Sequence, residues 1–425
     1  MRIAVTATVQ RALESLFAPD FVRKPFCVSW VEALHRAYEQ SWVLVLGGED
    51  ASDMPQLHLS MVRFTELGAH HIALAPTGRP GGCSLQSGRY RLAAARVGPL
   101  IYVTGGTGPE GDPCLEVLRF DTLSHQWVDS DSSIQSARPP IQQMPVARYG
   151  HEAVCVFGRY LLCIGGKAAG NRESPEGSYE AVGGSTDVLD TVTGKWATLP
   201  CNLNCPRVYF GASAVGSIVI VCGGMALGGA RQGTSEGRLD STEILDAAAL
   251  PLLFSMSARP PPMSWRSGPW LQFPRYDFSL AGPISGRLFA VGGSGARRLV
   301  EELDVSTLSS SPMNLRTRDP EARDALLADG WIDIHARAVH EPERCAQTSE
   351  EGSRWVLHPV ELPSARSSGN VVAVGNRLIL SGGSERSVLS YEPDAASWVA
   401  LGVELDSMRL GAKAVAFEEH RSLVG

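Results

Sequence analysis

The sequence lacks several features that would place it among membrane, secreted or nucleic-acid-binding proteins. No apolar run approaches the roughly 20 residues that a helix needs to cross a bilayer. The 38 Lys and Arg are outnumbered by 45 Asp and Glu, for a net charge of −7, whereas a nucleic-acid footprint is normally basic. The N-terminus shows no ordered secretory signal, there is no Asn-x-Ser/Thr sequon, and the nine cysteines are an odd count without a small-domain framework. We therefore expect a soluble, cytoplasmic chain that binds neither nucleic acid nor membrane.

Motifs for catalysis or cofactor binding are also scarce. There is no GxSxG nucleophile elbow, and the Gly-Gly pairs lack the lysine and helix of a phosphate-binding loop. A copper site would need a gathered set of His, Tyr and Cys ligands, which His70, His71, His335 and His340 do not suggest. Adjacent histidines on a strand would also point to opposite faces. We expect no catalytic residue, no metal and no cofactor.

The cysteines give two weaker signals. Cys201 and Cys205 have a loop spacing that zinc would tolerate, but no second Cys or His pair follows, so two thiols in a link are the favoured reading. Cys155 and Cys163 flank a hairpin turn, where they would face each other across two strands. Buried, small apolar side chains are a better description of that pair than a redox couple.

What the sequence does have is a stretch, residues 366–398, that reads as one small antiparallel sheet. Short strands at 371–374, 378–380 and 388–391 are separated by a Gly-Asn turn and a Gly-Gly pair, and Trp398 opens a fourth strand. Four short strands with these turns form one blade of a β-propeller.

The same landmarks recur along the chain. An apolar strand is followed by a Gly-Gly pair six times, and backbone freedom is the expected role of these residues: Gly47, Gly48, Gly105, Gly106, Gly165, Gly166, Gly223, Gly224, Gly292, Gly293, Gly382 and Gly383. An arginine lies sixteen or seventeen residues before five of the pairs, and the last arginine, Arg409, lies sixteen before the final residue. Constant offsets of this kind predict a propeller array.

This pattern resembles the kelch repeat, which implies an all-β kelch-type β-propeller over residues 41–425. The pairs are spaced 58, 60, 58, 69 and 90 residues apart, longer than the roughly 50 of a kelch unit. Long loop insertions account for the excess, and the largest, 308–354, contains a short helix predicted from Asp319-Pro320-Glu321. Residues 1–40 would be a partly helical N-terminal extension.

The two ends of the chain leave the blade count open. Residues 409–425 copy the start of a repeat, while the first repeat, from Trp42, has no inner strand of its own. We expect six four-stranded blades, with the C-terminal segment supplying the missing strand, because closure removes exposed sheet edges. The alternative is a seventh, truncated blade that begins at Arg409.

The kelch resemblance also implies functional residues. In kelch adaptors, arginines before the first strand of a blade hold acidic peptides at the mouth of the central channel. By position, the candidates for partner binding here are Arg89, Arg148, Arg207, Arg275, Arg366 and Arg409. The alternative is that they form salt bridges and backbone hydrogen bonds between blades. The expected role of the aromatic residues is packing in or between blades: Trp127, Trp196, Trp265, Trp355, Trp398, Tyr102, Tyr209 and Tyr391.

Two functions follow as hypotheses. The first is a non-catalytic protein–protein interaction module, a scaffold or substrate receptor, that binds an acidic segment of a partner protein at the loop-rich mouth. The sequence contains no BTB or F-box segment, so a role in a ubiquitin ligase stays open. The second is a propeller enzyme, such as a carboxylated-sugar isomerase or a galactose-oxidase-like oxidase. Buried, mouth-facing carboxylates with raised pKa values would favour the enzyme.

Overall fold

The computed structural model describes residues 41–52, 54–55, 59–65, 68–74, 88–128, 141–168, 182–227, 237–255, 263–308, 354–392 and 395–418. Regular structure in these residues is nearly all β, and six four-stranded antiparallel sheets form the blades of a propeller. The predicted helices at the N-terminus and in the insertion 308–354 lie outside the described residues.

Each blade contains four strands, numbered here from the central channel outward. Blade 1 consists of Lys413–Glu418, Ser41–Leu46, Leu59–Thr65 and Gly68–Leu74, and blade 2 of Ala93–Val97, Leu100–Thr104, Val117–Asp121 and Gln126–Trp127. Blade 3 consists of Glu152–Val156, Tyr160–Ile164, Thr186–Asp190 and Lys195–Thr198, and blade 4 of Gly211–Val215, Ile218–Cys222, Thr242–Asp246 and Trp265–Ser267. Blade 5 consists of Ser279–Ile284, Arg287–Val291, Val300–Asp304 and Val356–Leu357, and blade 6 of Asn370–Val374, Arg377–Ser381, Ser387–Glu392 and Ser397–Glu404.

Smaller elements accompany the blades, and one of them is a single helical turn at residues 182–184. Two short ribbons pair Arg148–Tyr149 with Lys167–Ala168, and Arg207–Val208 with Met225–Ala226. Short 3-10 helices span Leu250–Phe254 and Val305–Thr307. The strands predicted within residues 366–398 are confirmed as blade 6, each within a few residues of its predicted bounds.

The ring closes through the C-terminal strand. Lys413–Glu418 pairs antiparallel with Ser41–Leu46, which places Trp42 opposite Phe417 and Leu44 opposite Val415. The prediction of six blades with a borrowed inner strand is confirmed, and the alternative of a truncated seventh blade is wrong. The inner strands of neighbouring blades contact one another around the whole circle, so they line one central channel.

The apolar core lies between the blades rather than inside a single sheet. The second strands read as continuous apolar runs because both of their faces are covered by a neighbouring blade. Alternate residues turn to opposite sides: Ile101 and Val103 pack against blade 1, while Leu100 and Tyr102 pack against blade 3. Six buried clusters result, one at each interface between adjacent blades.

The two ends of the channel differ in the connections that they carry. At one end, which we call the arginine end, each second strand finishes at its Gly-Gly pair and the next inner strand begins a few residues after the repeated arginine. At the other end, the hairpin end, tight turns such as Gly98 and Gly158 join the first and second strands. The third strand of blade 5 ends at Asp304, so the insertion 308–354 is connected at the hairpin end.

Candidate functional site: the mouth at the arginine end

The six repeated arginines are buried, with relative exposures between 0% and 4%. Each guanidinium group donates to the carbonyl oxygen of the first glycine in its own blade, as Arg366 does to Gly382 at 3.0 Å and Arg409 does to Gly47 at 3.2 Å. The equivalent bonds of the other four blades run from Arg89, Arg148, Arg207 and Arg275 to Gly105, Gly165, Gly223 and Gly292. The side chain of each arginine therefore holds the end of the second strand in its blade.

The backbone of the same arginines ties neighbouring blades together. The amide of each second glycine donates to the carbonyl oxygen of the arginine in the next blade, as in Gly48 to Arg89 at 2.8 Å and Gly106 to Arg148 at 3.0 Å. The other pairs are Gly166 with Arg207, Gly224 with Arg275, Gly293 with Arg366 and Gly383 with Arg409. A Cβ on Gly105 would lie only 2.3 Å from the Arg148 carbonyl oxygen, so this contact requires glycine. The constant offset of sixteen or seventeen residues in the sequence separates each of the first five arginines from the first glycine of its own blade, to which its side chain donates.

Each arginine also pairs with a carboxylate, and the burial of that carboxylate divides the ring into halves. In blades 3 to 5 the partners are Asp187, Glu243 and Glu301, second residues of the third strands, with side chains at most 5% exposed. In blades 6, 1 and 2 they are Glu385, Asp406 and Glu116, which are 32–52% exposed. The geometry accounts for all six arginines as parts of the ring, while partner binding by them stays a prediction.

The aromatic residues that the sequence assigns to packing occupy several environments. Trp127, Trp265 and Trp355 are buried, and Trp196 and Trp398 are partly exposed. Tyr102 lies in the core, and the hydroxyl of buried Tyr391 lies 2.9 Å from His358 Nε2. Tyr209 differs, because its ring projects into the mouth of the channel.

A second ring of residues surrounds this mouth, two positions after each arginine. All six have a positive φ of 50° to 63° and are Arg91, Gly150, Tyr209, Asp277, Ser368 and Gly411. Backbone amides donate to the preceding member's carbonyl oxygen at 2.7–3.0 Å: Arg91 to Gly411, Gly150 to Arg91, Tyr209 to Gly150, Asp277 to Tyr209, and Ser368 to Asp277. The repeating backbone thus presents six positions at the mouth, of which two are glycine and four carry different side chains.

On one side of the mouth, Arg91 of blade 2 reaches over blade 3 to Tyr209 of blade 4. Its guanidinium donates to the Tyr209 hydroxyl at 2.6 Å and lies 5.0 Å from the centre of that ring. The tyrosine ring has room to cross because blade 3 carries Gly150, where a Cβ would lie 2.6 Å from Tyr209 Cε1. Burial raises the pKa of the Tyr209 hydroxyl, so it stays protonated at neutral pH.

Two carboxylates also line the mouth. Glu152 of blade 3 forms an ion pair with Lys413 of blade 1, which spans the intervening blade 2. Burial raises the pKa of Glu152, and the charge of Lys413 opposes that rise. Burial likewise raises the pKa of Asp277 on blade 5, opposed by the charges of Arg91 and Lys413. Two half-buried carboxylates with raised pKa values therefore lie at the mouth.

The backbone ring has a gap between blades 6 and 1. No hydrogen bond joins the Gly411 amide to Ser368 among the residues that the structure describes. A cavity of about 50 Å³ lies in the mouth, and residues of all six blades line it, Asp277, Ser368 and Lys413 among them. Two buried residues among those that line it each have one side-chain nitrogen without a hydrogen-bond partner in the described part of the chain, Nδ2 of Asn370 and Nδ1 of His151. Burial lowers the pKa of His151 well below its usual range, so its ring is neutral, and its Nε2 contacts Thr104 Oγ1 at 2.9 Å.

A larger cavity, of about 340 Å³, lies on blade 2 next to Arg89. Its wall carries the exposed carboxylates of Glu110, Asp112 and Glu116 together with the thiol of Cys114, whose pKa is raised by burial. The surface around the mouth is therefore not uniformly positive, since this part of blade 2 is acidic.

The cysteine and histidine predictions meet different outcomes. Cys155 lies opposite Leu161 and Cys163 opposite Ala153, so the expectation that the two thiols face each other is wrong: they lie on paired strands, two residues out of register. Cys201 and Cys205 are free thiols. In the described part of the chain, no three His, Cys, Asp or Glu side chains come together as metal ligands would. His335 and His340 lie outside the described residues.

Comparison with known proteins adds no family assignment. No known family profile matches the sequence, and no curated protein matches it. Among the described residues, no helix has both the length and the apolar character that crossing a membrane requires.

Sequence reasoning located the mouth but not the residues that distinguish it. The arginines were found because they repeat, whereas Arg91, Tyr209, Asp277, Glu152 and Lys413 belong to positions that vary from blade to blade. The available signal was the fixed offset: counting two and four residues past each arginine marks these positions.

Proposed function

We propose that this propeller is a kelch-type, non-catalytic interaction module that binds an acidic segment of a partner protein at the mouth of the arginine end. One observation carries the proposal. The arginine and the Gly-Gly pair that hold the ring together are the same in every blade, while the six positions at the mouth comprise four different side chains and two glycines. In a repeat protein, non-repeating side chains gathered at one point on a rigid scaffold are suited to recognition.

Arg91 is the cation that we assign to the partner's carboxylate. Its side chain is exposed, and no carboxylate of the described residues lies within salt-bridge distance of it. The Tyr209 hydroxyl occupies one of its donors and fixes the orientation of the guanidinium, which leaves others for a bidentate contact. The six repeated arginines, being buried and paired, are assigned to the ring instead.

Apolar side chains at the same end fit a protein partner. Met54, Trp270 and Phe273 are 60%, 59% and 36% exposed, and all three lie in connections at the arginine end. Trp270 lies five residues before Arg275, at the position that Asn202 occupies before Arg207 in the previous connection between blades. Exposed tryptophan is a frequent anchor at protein interfaces.

The proposal is tested by selecting peptides from a random display library on immobilised protein. Wild type should enrich Asp- and Glu-rich peptides, and Arg91→Glu should not. Arg96→Glu is the matched control, because Arg96 lies at the hairpin end of the same inner strand and donates to Gly98 there. Equal enrichment by Arg91→Glu and wild type would contradict the proposal.

The enzyme is retained as a second candidate because Asp277 and Glu152 are half-buried carboxylates at the mouth and burial raises the pKa of each. A carboxyl with a raised pKa is suited to general acid–base work near neutral pH. Against it, the cavity of about 50 Å³ is well below the 300–1,000 Å³ of typical small-molecule sites, and Glu152 is already paired with Lys413. If proton NMR showed that the protein converts a carboxylated sugar, and if Asp277→Asn abolished that conversion, the enzyme would become the favoured function.

A further inference from the structure

Two connections at the arginine end share one set of backbone hydrogen bonds but expose different side chains. In residues 202–207, between blades 3 and 4, two consecutive amides donate to the Glu243 carboxylate at 2.7 and 3.0 Å. In residues 270–275, between blades 4 and 5, the corresponding amides donate to Glu301 at 2.7 and 3.3 Å. The sequences are NLNCPR and WLQFPR. The shared backbone therefore does not depend on the two aromatic residues of the second connection.

These residues, Trp270 and Phe273, are called here the aromatic pair. They take the positions of Asn202 and Cys205 in the other connection. Cys205 is 6% exposed, whereas Phe273 is 36% and Trp270 is 59% exposed. An aromatic side chain on a backbone that is already fixed loses little conformational freedom when a partner covers it. The aromatic pair is thus suited to binding and is not required by the connection.

Two arginines lie in the same part of the arginine end. A Cβ on Gly295 of blade 5 would lie 2.4 Å from the Pro274 carbonyl oxygen and 3.5 Å from Arg238 Nη1, so these three residues are in close contact. The Arg238 guanidinium lies 5.8 Å from the centre of the Tyr276 ring. Arg297, two residues after Gly295, is exposed and forms no salt bridge with a described residue. Blades 4 and 5 therefore present two arginines beside exposed aromatic rings.

The connections of blades 1 and 2 at the same end carry carboxylates instead. Glu110 and Asp112 are exposed and line the cavity of about 340 Å³ on blade 2. Glu49 and Asp50 directly follow the Gly-Gly pair of blade 1. Like charges brought together across an interface are unfavourable, so an acidic partner is disfavoured over these two blades. Blades 4 and 5 are the complementary surface for such a partner.

The aromatic pair is within reach of a segment that binds Arg91. The Arg91 guanidinium contacts Tyr209, whose carbonyl oxygen accepts a hydrogen bond from the Asp277 amide. Asp277 follows Phe273 by four residues and Trp270 by seven, so they are at most about 14 and 25 Å from it. An extended chain advances about 3.3 Å per residue, and a segment of about eight residues covers that distance.

We propose that the acidic segment of the partner binds in extended form from Arg91 outward over blades 4 and 5. One apolar side chain of the segment then packs on the aromatic pair, and a second carboxylate lies beside Arg297. This inference rests on the proposed function and deepens it, because it adds an apolar anchor and a direction to the acidic group that Arg91 receives.

The direction is tested with an acidic peptide selected on wild type. Two versions carry a benzophenone photocrosslinker at one end or the other, and mass spectrometry locates the attachment on the full chain. One version should attach within residues 270–276. Attachment of both versions to residues 48–55 or 108–116 instead would overturn the inference.

The contributing residues are tested by the affinity of the same peptide. Trp270→Asn introduces the residue of the equivalent connection and should weaken binding about tenfold, as should Arg297→Glu. The matched controls Asn202→Ala and Glu110→Gln should stay within about threefold of wild type.

The outcomes separate this inference from the proposed function. Binding that is lost in Arg91→Glu but unchanged in Trp270→Asn and Arg297→Glu would overturn the inference and leave the acidic-partner proposal standing. A selection that enriches no acidic peptide, or binding that Arg91→Glu does not weaken, would overturn both.

Discussion

Replacing Arg275 by Met should destabilise the ring far more than replacing Arg89 by Met. The Arg275 guanidinium donates to the carbonyl oxygens of Ala290, Gly292 and Leu299 and to Glu301 at 2.5 Å. Met preserves most of the apolar length of arginine, so the change removes the charge and its hydrogen bonds with little loss of packing.

The size of the effect follows from the carboxylate left behind. Glu301 has a fully buried side chain, and removing one partner of a buried pair costs about 3–5 kcal/mol. Glu116, the partner of Arg89, is 52% exposed and can be solvated by water, and the Arg89–Gly105 bond is long at 3.5 Å, so the second substitution should cost about 1–2 kcal/mol.

Urea unfolding followed by tryptophan fluorescence measures both variants. With an m-value of about 3 kcal/mol per molar, Arg275→Met should lower the midpoint by about 1–1.7 M and Arg89→Met by about 0.3–0.7 M. Arg275→Met combined with Glu301→Leu should regain part of the loss, because it removes the unpaired charge. Equal midpoints for the two single variants would refute the reasoning from carboxylate burial. An undisturbed midpoint together with lost peptide binding would make Arg275 a ligand-binding residue.

Three further outcomes are expected. Gly150→Ala should destabilise the protein and weaken peptide binding, because the new Cβ would displace Tyr209. The control is Gly158→Ala, since Gly158 has a similar positive φ but open space around it; this variant should lower the free energy of unfolding by about 1 kcal/mol in the urea assay and leave peptide binding unchanged. Asp277→Asn should raise the urea midpoint at about pH 7 and have little effect below about pH 4. Folding raises the pKa of Asp277 above its ordinary 3.8, so the folded state binds more protons than the unfolded state between these two pKa values and loses stability as the pH rises from one to the other. A midpoint difference between variant and wild type that shrinks from pH 4 to pH 7 would contradict this expectation. Trp270→Ala should weaken peptide binding by about tenfold without moving the midpoint, and unchanged affinity would remove this residue from the interface.

The fold was predictable because its constraints repeat. A fixed distance from arginine to Gly-Gly reflects one hydrogen-bonded connection made six times, and the surplus repeat start at Arg409 indicated the strand that closes the ring. The environment of the arginines was less accessible to sequence reasoning. Their carboxylate partners stand at different places: inside the third strand for Glu301, before it for Glu116, and three residues before the arginine itself for Asp406.

The mouth was unpredictable for a different reason. Tyr209 looks like one more aromatic residue of a blade until the structure shows that glycine at position 150 leaves its ring free to cross toward Arg91. The ion pair of Glu152 and Lys413 joins residues 261 positions apart through the closure of the ring. Contacts of this kind join blades that are separated by one other blade. Which blades these are is known only when the number of blades and the closure of the ring are known.

The central claim is that recognition belongs to the varying residues of the mouth and not to the repeated arginines. It is tested most directly by the dissociation constant of one selected acidic peptide for wild type, Arg91→Glu and Arg96→Glu, with the urea midpoint of each protein measured beside it. We predict that Arg91→Glu weakens binding by about a hundredfold or more at an unchanged midpoint, and that Arg96→Glu stays within about threefold of wild type. Binding by Arg91→Glu as tight as that of wild type would contradict the account.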